Sequence, residues 1–262
     1  MGKQTLAQIS VKIKCSLPTI QKYLDAFVLP EFLVEPKPIV LVIDALYFGT
    51  KKDKDGLLVG KDWLTGKIVY RAFIQSETKL VYQEARNTLE SAGFKILAVV
   101  VDGRPGIRSV FADLPLQMCQ FHLIQIVNRY ITKSPKLIPA LQLKTLLVDL
   151  TTTTEYTFKL RFNYWLEVNQ GFLNEKTINP DTGRQIYKHK RLRSATRSIQ
   201  TNLEYLFTYK NQRNQDLKIP NTTNCIDGWF AHLRKLLSCH NGLRKDRRNR
   251  MIEYILATRN FN

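Results

Sequence analysis

Two apolar runs, each stopped by an aspartate, constrain this chain more than any other feature. Val40-Leu41-Val42-Ile43 runs into Asp44, and Ala98-Val99-Val100-Val101 runs into Asp102. Continuous runs of this kind, rich in β-branched residues, predict strands buried on both faces, as where helices cover a sheet. An ionised carboxylate directly after such a run has to emerge at a sheet edge, because burying it unpaired is costly. If the two strands are neighbours, Asp44 and Asp102 converge at one end of the sheet. Two close carboxylates repel each other, and a hard divalent cation is a common means of neutralising them. Acidic residues also punctuate strand ends in α/β proteins that bind no metal, and either aspartate alone fits that simpler reading. The pair together, in a basic chain, favours a metal.

The surrounding pattern is that of an α/β fold. Residues 57–63 and 67–74 flank Thr65-Gly66 as strand, turn and strand. Residues 79–92 predict a helix, with Val81, Ala85 and Leu89 on one face and Gly93 as its C-cap. Residues 96–101 give the second buried strand and 117–121 a short one. From Ser134 to about Asn221 the strand signals mostly vanish, and Leu141, Leu146, Leu150, Phe158, Phe162, Trp165, Leu203 and Phe207 predict helices packed on one another. The expectation is a mixed-sheet core over 38–133, an α-helical insertion at 134–220 and closing helices at 221–262.

Ahead of the sheet, residues 1–30 read as a partial helix-turn-helix. Leu6, Ile9 and Ile13 mark one apolar stripe, and Ile20, Leu24 and Phe27 the next. Ser16 is placed to N-cap the second helix, with Pro18 in its first turn. Such a helix would carry Thr19, Gln21 and Lys22 toward DNA, although any helical hairpin gives the same pattern. The unit is expected to be incomplete, lacking a third supporting helix upstream. Pro30, Pro36 and Pro38 then break any continuing helix.

Charge narrows the function classes. Forty Lys and Arg against 22 Asp and Glu give a formal charge of +18, which concentrates polyanions around the chain. Nucleic acid fits better than a membrane, since no apolar run approaches the roughly 20 residues a span needs. The basic residues expected to meet DNA are Arg104, Lys188, Lys190, Arg191, Arg193, Arg234, Lys235, Arg244, Lys245, Arg247 and Arg248. Contacts from such runs to phosphates carry affinity without sequence information. Four cysteines without a disulfide-framework spacing suit a reducing compartment. A cytoplasmic protein, nucleoid-associated in a prokaryote, is expected.

Cys119 and His122 form half of a zinc pattern. No second Cys or His pair exists to complete tetrahedral ligation, and Cys239-His240 are adjacent. Asp227 has two readings. With Asn224 as N-cap it is the N3 acid of a capping-box-like start, favoured by the helix dipole; it can equally ligate a metal. Glu204 and Glu253 are weaker substitutes, and Ile226, Trp229, Phe230, Leu233 and Leu237 read as core.

Taken in order, these landmarks resemble those of a known family. Asp44-Ala-Leu-Tyr, Asp102-Gly-Arg-Pro-Gly-Ile, Cys119-Gln-Phe-His122, Thr223-Asn-Cys-Ile-Asp227-Gly and Leu233-Arg-Lys look like the core of Mutator/IS256-like (MULE-type) transposases, over residues 39–242. The resemblance implies an RNase H-like fold with a DDE triad at Asp44, Asp102 and Asp227 holding Mg²⁺ (or Mn²⁺). It implies that Cys119 and His122 support the site by hydrogen bonding, or that His122 touches the DNA backbone. It implies metal-dependent cleavage and strand transfer on double-stranded DNA, at element ends and target, by a homodimer or larger assembly. Against the family the chain is N-terminally shortened. Residue 227 is Asp where the family has Glu, one methylene shorter at a site sensitive to that scale. A catalytically inactive DNA-binding relic and an RNase H-like nuclease are the alternatives.

Overall fold

The chain runs α1 (Leu6–Ile13), α2 (Leu17–Ala26), β1 (Pro38–Phe48), β2 (Asp55–Asp62), β3 (Ile68–Ile74), α3 (Lys79–Ser91), β4 (Lys95–Val101), α4 (Pro105–Arg108), β5 (Leu116–Met118) and α5 (Gln120–Ile131). It continues through α6 (Ile138–Val148), α7 (Glu155–Asn174), β6 (Lys176–Ile178), β7 (Gln185–Tyr187), α8 (Lys190–Asn202), α9 (Asn224–Ser238) and α10 (Lys245–Arg259). This is a computed structural model, which describes residues 4–29, 34–48, 55–240 and 242–259; Pro30 of the expected linker lies outside them.

Strands β1 to β5 form one mixed sheet in the order β3-β2-β1-β4-β5. The β1–β2 and β2–β3 pairs are antiparallel, whereas β1–β4 and β4–β5 are parallel. Side chains alternate across a strand, so β1 feeds two cores at once. Ile39, Leu41 and Ile43 pack with Tyr82, Ala85 and Leu89 of α3. Val40, Val42 and Leu46 pack with Ile226, Trp229, Phe230 and Leu233 of α9 and Ile252 and Leu256 of α10. Helices on both faces are the reason the run is continuously apolar. The α3 helix stops as expected at Gly93, whose φ is 91°. The Phe94 and Gly93 amides bond back to Leu89 and Glu90, closing the helix in a Schellman turn.

Asp44 does not end its strand: β1 continues to Phe48, with Asp44 opposite Val59 of β2. Pairing to β4 does stop, at Val42–Val100, so Asp44 and Asp102 each stand two residues past the last parallel pair. The strand persists because β2 keeps supplying hydrogen bonds after β4 has ended. The short fifth strand ends at Met118, and Cys119 is already the N-cap of α5.

Beyond β5 lies a helical layer. Leu123 and Val127 of α5, Leu143 of α6, Phe158, Phe162 and Trp165 of α7, Ile199 of α8 and Phe207 share one core. Leu141, expected inside, is 45% exposed. The insertion is not purely helical either, because β6 and β7 form a hairpin. Asn179 Oδ1 accepts from the Asp181 amide, and Gly183 closes the turn at φ 63°. Buried Gln117 of β5 fastens this layer to the sheet by donating to the Leu206 carbonyl at 2.9 Å, and buried Gln120 of α5 donates to the same carbonyl at 2.8 Å.

At the N-terminus, Thr5 and Ser16 cap α1 and α2 as their side chains allow. Of the two stripes expected inside, only Ile20 is buried. The helical pair docks on α10 through Arg247, which holds both Asp25 oxygens at 3.0 and 2.7 Å, and through Phe27 edge-on to Tyr254. No helix among the described residues is long and apolar enough to cross a membrane.

Candidate metal centre

Three chain segments deliver the site. β1 brings Asp44, the first turn of α5 brings His122, and the start of α9 brings Asp227. One ligand atom from each lies within 4.8 Å of the other two, and this is the one such trio among the described residues. Asp44 is 7% exposed. Its Oδ1 accepts from the Ala45 amide at 2.8 Å, and its Oδ2 faces His122 Nε2 at 4.0 Å.

Electrostatics bear out the crowding. Burial pushes the Asp44 carboxyl up to about 7, the His122 charge pulls it down, and the charges of Asp227 and Asp102 push it up further. Burial also works against a charged His122, but the Cys119 sulfur and the charges of Asp44 and Asp227 outweigh it and raise the imidazole to about 9. The buried Asp44 carboxylate therefore favours a cation beside it, and the imidazole is the cation the protein supplies. A divalent ion fits the same three groups, two carboxylates and one imidazole.

Asp102 is placed differently. It follows β4 at the level of Asp44, but its oxygens face Arg104. The Arg104 amide donates to Oδ1 at 3.2 Å and its Nε to Oδ2 at 3.0 Å. The same guanidinium reaches the half-buried Glu77 at 3.2 Å. Burial raises the Glu77 carboxyl first, and Arg104 opposes that rise. Arg104 is thus part of an acidic cluster rather than free for DNA.

The residue that sequence reading missed is Thr223. It is fully buried and is itself the N-cap of α9, in place of Asn224, so Asp227 sits at the fourth helical position rather than the third. The Thr223 amide donates to Cys119 Sγ at 3.3 Å. Its hydroxyl lies 3.4 Å from that sulfur, 3.5 Å from His122 Nδ1 and 3.2 Å from Asp227 Oδ2. The Thr222-Thr223 doublet before Asn224 was the available signal, since either threonine could cap. Beside it, the Gln120 amide donates to the Asn221 carbonyl at 2.9 Å, clamping α9 to α5.

The basic residues expected at DNA divide into two groups. Lys188 pairs with Glu175 at 3.0 Å, Lys245 with Asp55 at 2.7 Å, and Arg248 with Asp55. Arg247 holds Asp25. Arg193 stacks on Tyr187 at 3.6 Å and donates to the Leu173 carbonyl. Arg191 donates to the Arg129 and Tyr130 carbonyls at the far end of α5, about 12 Å along the helix from His122 at 1.5 Å per residue. Lys190, Arg234, Lys235 and Arg244 have no ion pair among the described residues. Of the remaining acids, Glu204 is exposed and Glu253 pairs with Arg71; neither belongs to the trio.

No family model and no curated protein matches this chain, so what it does has to be argued from Asp44, His122, Asp227 and their surroundings.

Proposed function

We propose that this protein is a metal-dependent DNA strand-transfer enzyme with an RNase H-like core, of the Mutator/IS256-like transposase kind. The observation that carries the reading is the meeting of Asp44 and Asp227, from β1 and α9, at the sheet end where Asp102 follows the parallel neighbour β4. The strand order β3-β2-β1-β4-β5, with three antiparallel strands leading into two parallel ones, supports the RNase H-like assignment. The chain's +18 charge supports a polyanionic substrate.

In this reading Asp44 and Asp227 hold Mg²⁺ or Mn²⁺, and Asp102 completes the acidic triad. A divalent ion bound there would activate an attacking hydroxyl and offset charge in an in-line phosphoryl displacement. Arg234, Lys235 and Arg244 would meet duplex phosphates, and the helix-turn-helix reading of α1 and α2 puts Thr19 and Lys22, both exposed, toward DNA. Gln21 is half-buried and fits that role less well. A homodimer bridging two DNA ends, acting in the cytoplasm or on a nucleoid, follows from the same reading.

One observation favours the inactive relic: Asp102 already has a cationic partner in Arg104. The deciding experiment incubates the full chain with duplex DNA taken from both sides of its reading frame, where this reading expects inverted repeats. With Mg²⁺ or Mn²⁺, nicking at the repeat ends and joining of the 3′-hydroxyl to a second duplex is expected. Asp44→Asn and Asp227→Asn should each abolish both steps. Hydrolysis without joining would make it a nuclease, and binding without cleavage a relic.

A further inference from the structure

We propose that His122 is itself a ligand of the bound cation, through Nε2, and that the His122–Asp44–Asp227 set selects Mn²⁺ and other first-row transition ions over Mg²⁺. This rests on the metal-dependent reading above and sharpens it, since carboxylates alone would suit Mg²⁺ equally well.

One atom of each ligand lies within 4.8 Å of the other two. Asp44 Oδ1 is engaged by the Ala45 amide, which leaves Oδ2 opposite His122 Nε2. Their 4.0 Å separation is too long for a hydrogen bond. Metal–ligand bonds of about 2.0–2.2 Å place two ligands of one ion up to about 4 Å apart. Asp227 Oδ2 is engaged by the Thr223 hydroxyl at 3.2 Å, leaving Oδ1. On its other side His122 presents Nδ1 to the same hydroxyl at 3.5 Å.

Thr223 therefore orients two of the three ligands with a single oxygen. With Nδ1–H directed at the Thr223 oxygen, a bound cation would take the place of the Nε2 proton, and the Nε2 lone pair would then ligate it. A ligating histidine usually has its second nitrogen fixed by a partner of this sort. Thr223 is fully buried, so water does not compete for the position.

Cys119 is not a fourth ligand. Its sulfur faces the Thr223 amide and hydroxyl at 3.3 and 3.4 Å, so the thiolate-rich set of a structural zinc site is not made. Three protein ligands of mixed N and O type leave positions open for water or substrate, as in catalytic centres. Imidazole ligation favours Mn²⁺ weakly and Co²⁺ or Zn²⁺ more strongly, whereas Mg²⁺ prefers oxygen. The competing use of the same geometry is a protonated His122 that neutralises both aspartates without any metal.

The test titrates the metal-free full chain with Mn²⁺, following affinity by continuous-wave electron paramagnetic resonance and ligation by pulsed measurement of ¹⁴N coupling. Expected are one saturable site with ¹⁴N coupling and a Mn²⁺ affinity at least ~10-fold above that of competing Mg²⁺. His122→Gln should remove the coupling and lower the affinity by at least ~100-fold, and Thr223→Val should lower it by ~10–100-fold while Thr223→Ser retains it. Saturable Mn²⁺ binding without ¹⁴N coupling in the unaltered chain would overturn ligation by His122 and leave a carboxylate metal site standing. No saturable binding by folded protein, with Asp44→Asn behaving identically, would overturn this proposal and the metal-dependent reading together. The ¹⁴N signal of the unaltered chain decides the ligand question even if a variant does not fold.

Discussion

The Nε of Arg104 lies 3.0 Å from Oδ2 of Asp102, so the aspartate at the end of β4 has a guanidinium partner two residues further along the chain. Asp44, at the same level on β1, has an imidazole 4.0 Å away instead. Two acids that read alike in sequence are thus neutralised in different ways. Removing the guanidinium should make them more alike. In Arg104→Ala, Asp102 is freed to bind metal beside Asp44. The expected outcome is a rise from one bound Mn²⁺ per chain to two, counted by equilibrium dialysis. An unchanged stoichiometry would show that Asp102 lies outside the metal site.

The folded chain holds the Asp44 carboxyl at about 7 against an ordinary 3.8, so between those values the native state binds more protons than the unfolded one. Stability then falls as pH rises through this window, and it is fully present only below about pH 4. For a carboxyl this deeply buried the loss is on the order of 4 kcal/mol. His122, raised from 6.5 to about 9, acts in the same direction from pH 6.5 upward. Asp44→Asn keeps an oxygen for the Ala45 amide and removes the titration. Without metal, the variant should match the parent near pH 4 and exceed it by a few kcal/mol at pH 8 in urea unfolding. Parallel stability profiles would show that Asp44 does not titrate there. Saturating Mn²⁺ should reverse the order at pH 8, because only the parent binds it tightly.

How far the site was legible follows from which residues carry local signals. Asp44 and Asp102 stand out because burial on both faces makes their strands unbroken apolar runs, and an acid after such a run is conspicuous. That Asp44 lies inside a longer strand was not legible, since the extension is specified by pairing with β2, a non-local partner. Asp227 was visible as a landmark, but its helical position was misread by one residue because Thr223 and Asn224 are both competent caps. His122 was placed beside the acids only through the family resemblance, since a search for a second Cys or His pair cannot find carboxylates from other elements. The small hairpin at Lys176–Tyr187 was missed although Asn179-Pro180-Asp181-Thr182-Gly183 is a strong turn signal. Its strands are three residues each and exposed apart from the half-buried Ile186, too short for alternation to show.

Charge makes the third prediction, by separating basic residues that serve the fold from those open to a polyanion. Arg234 and Lys235 are exposed on α9, two turns beyond Asp227. Removing one phosphate-binding cation reduces the slope of log affinity against log salt by about 0.9 on duplex DNA. Arg234→Ala with Lys235→Ala should therefore flatten the slope by about 2 while leaving thermal unfolding unchanged. Arg193→Ala should do the opposite, since that side chain stacks on Tyr187 and bonds to Leu173 and Asn174. Its truncation should lower the melting temperature and leave the salt slope alone. Fluorescence anisotropy across a salt series distinguishes the two patterns.

The fourth prediction isolates the turn that carries Asp102 out of the sheet. Gly103 has φ +89°, and a Cβ added there would lie 2.5 Å from Cε and 2.9 Å from Cγ of Met118. Met118 is fully buried and cannot swing into solvent. Gly103→Ala therefore suffers both backbone strain and crowding, each worth ~1–3 kcal/mol. Two other glycines separate these contributions. Gly183 has φ +63° with nothing within 4 Å, whereas Gly106 has open space and no positive φ. Gly183→Ala should cost the strain alone, and Gly106→Ala, in the helical α4, should be neutral or stabilising by up to ~1 kcal/mol. Urea unfolding should rank the losses as Gly103 greatest, Gly183 intermediate and Gly106 least. A Gly103→Ala chain as stable as the Gly183→Ala chain would mean that Met118 yields, and that the Asp102 turn is not held by packing.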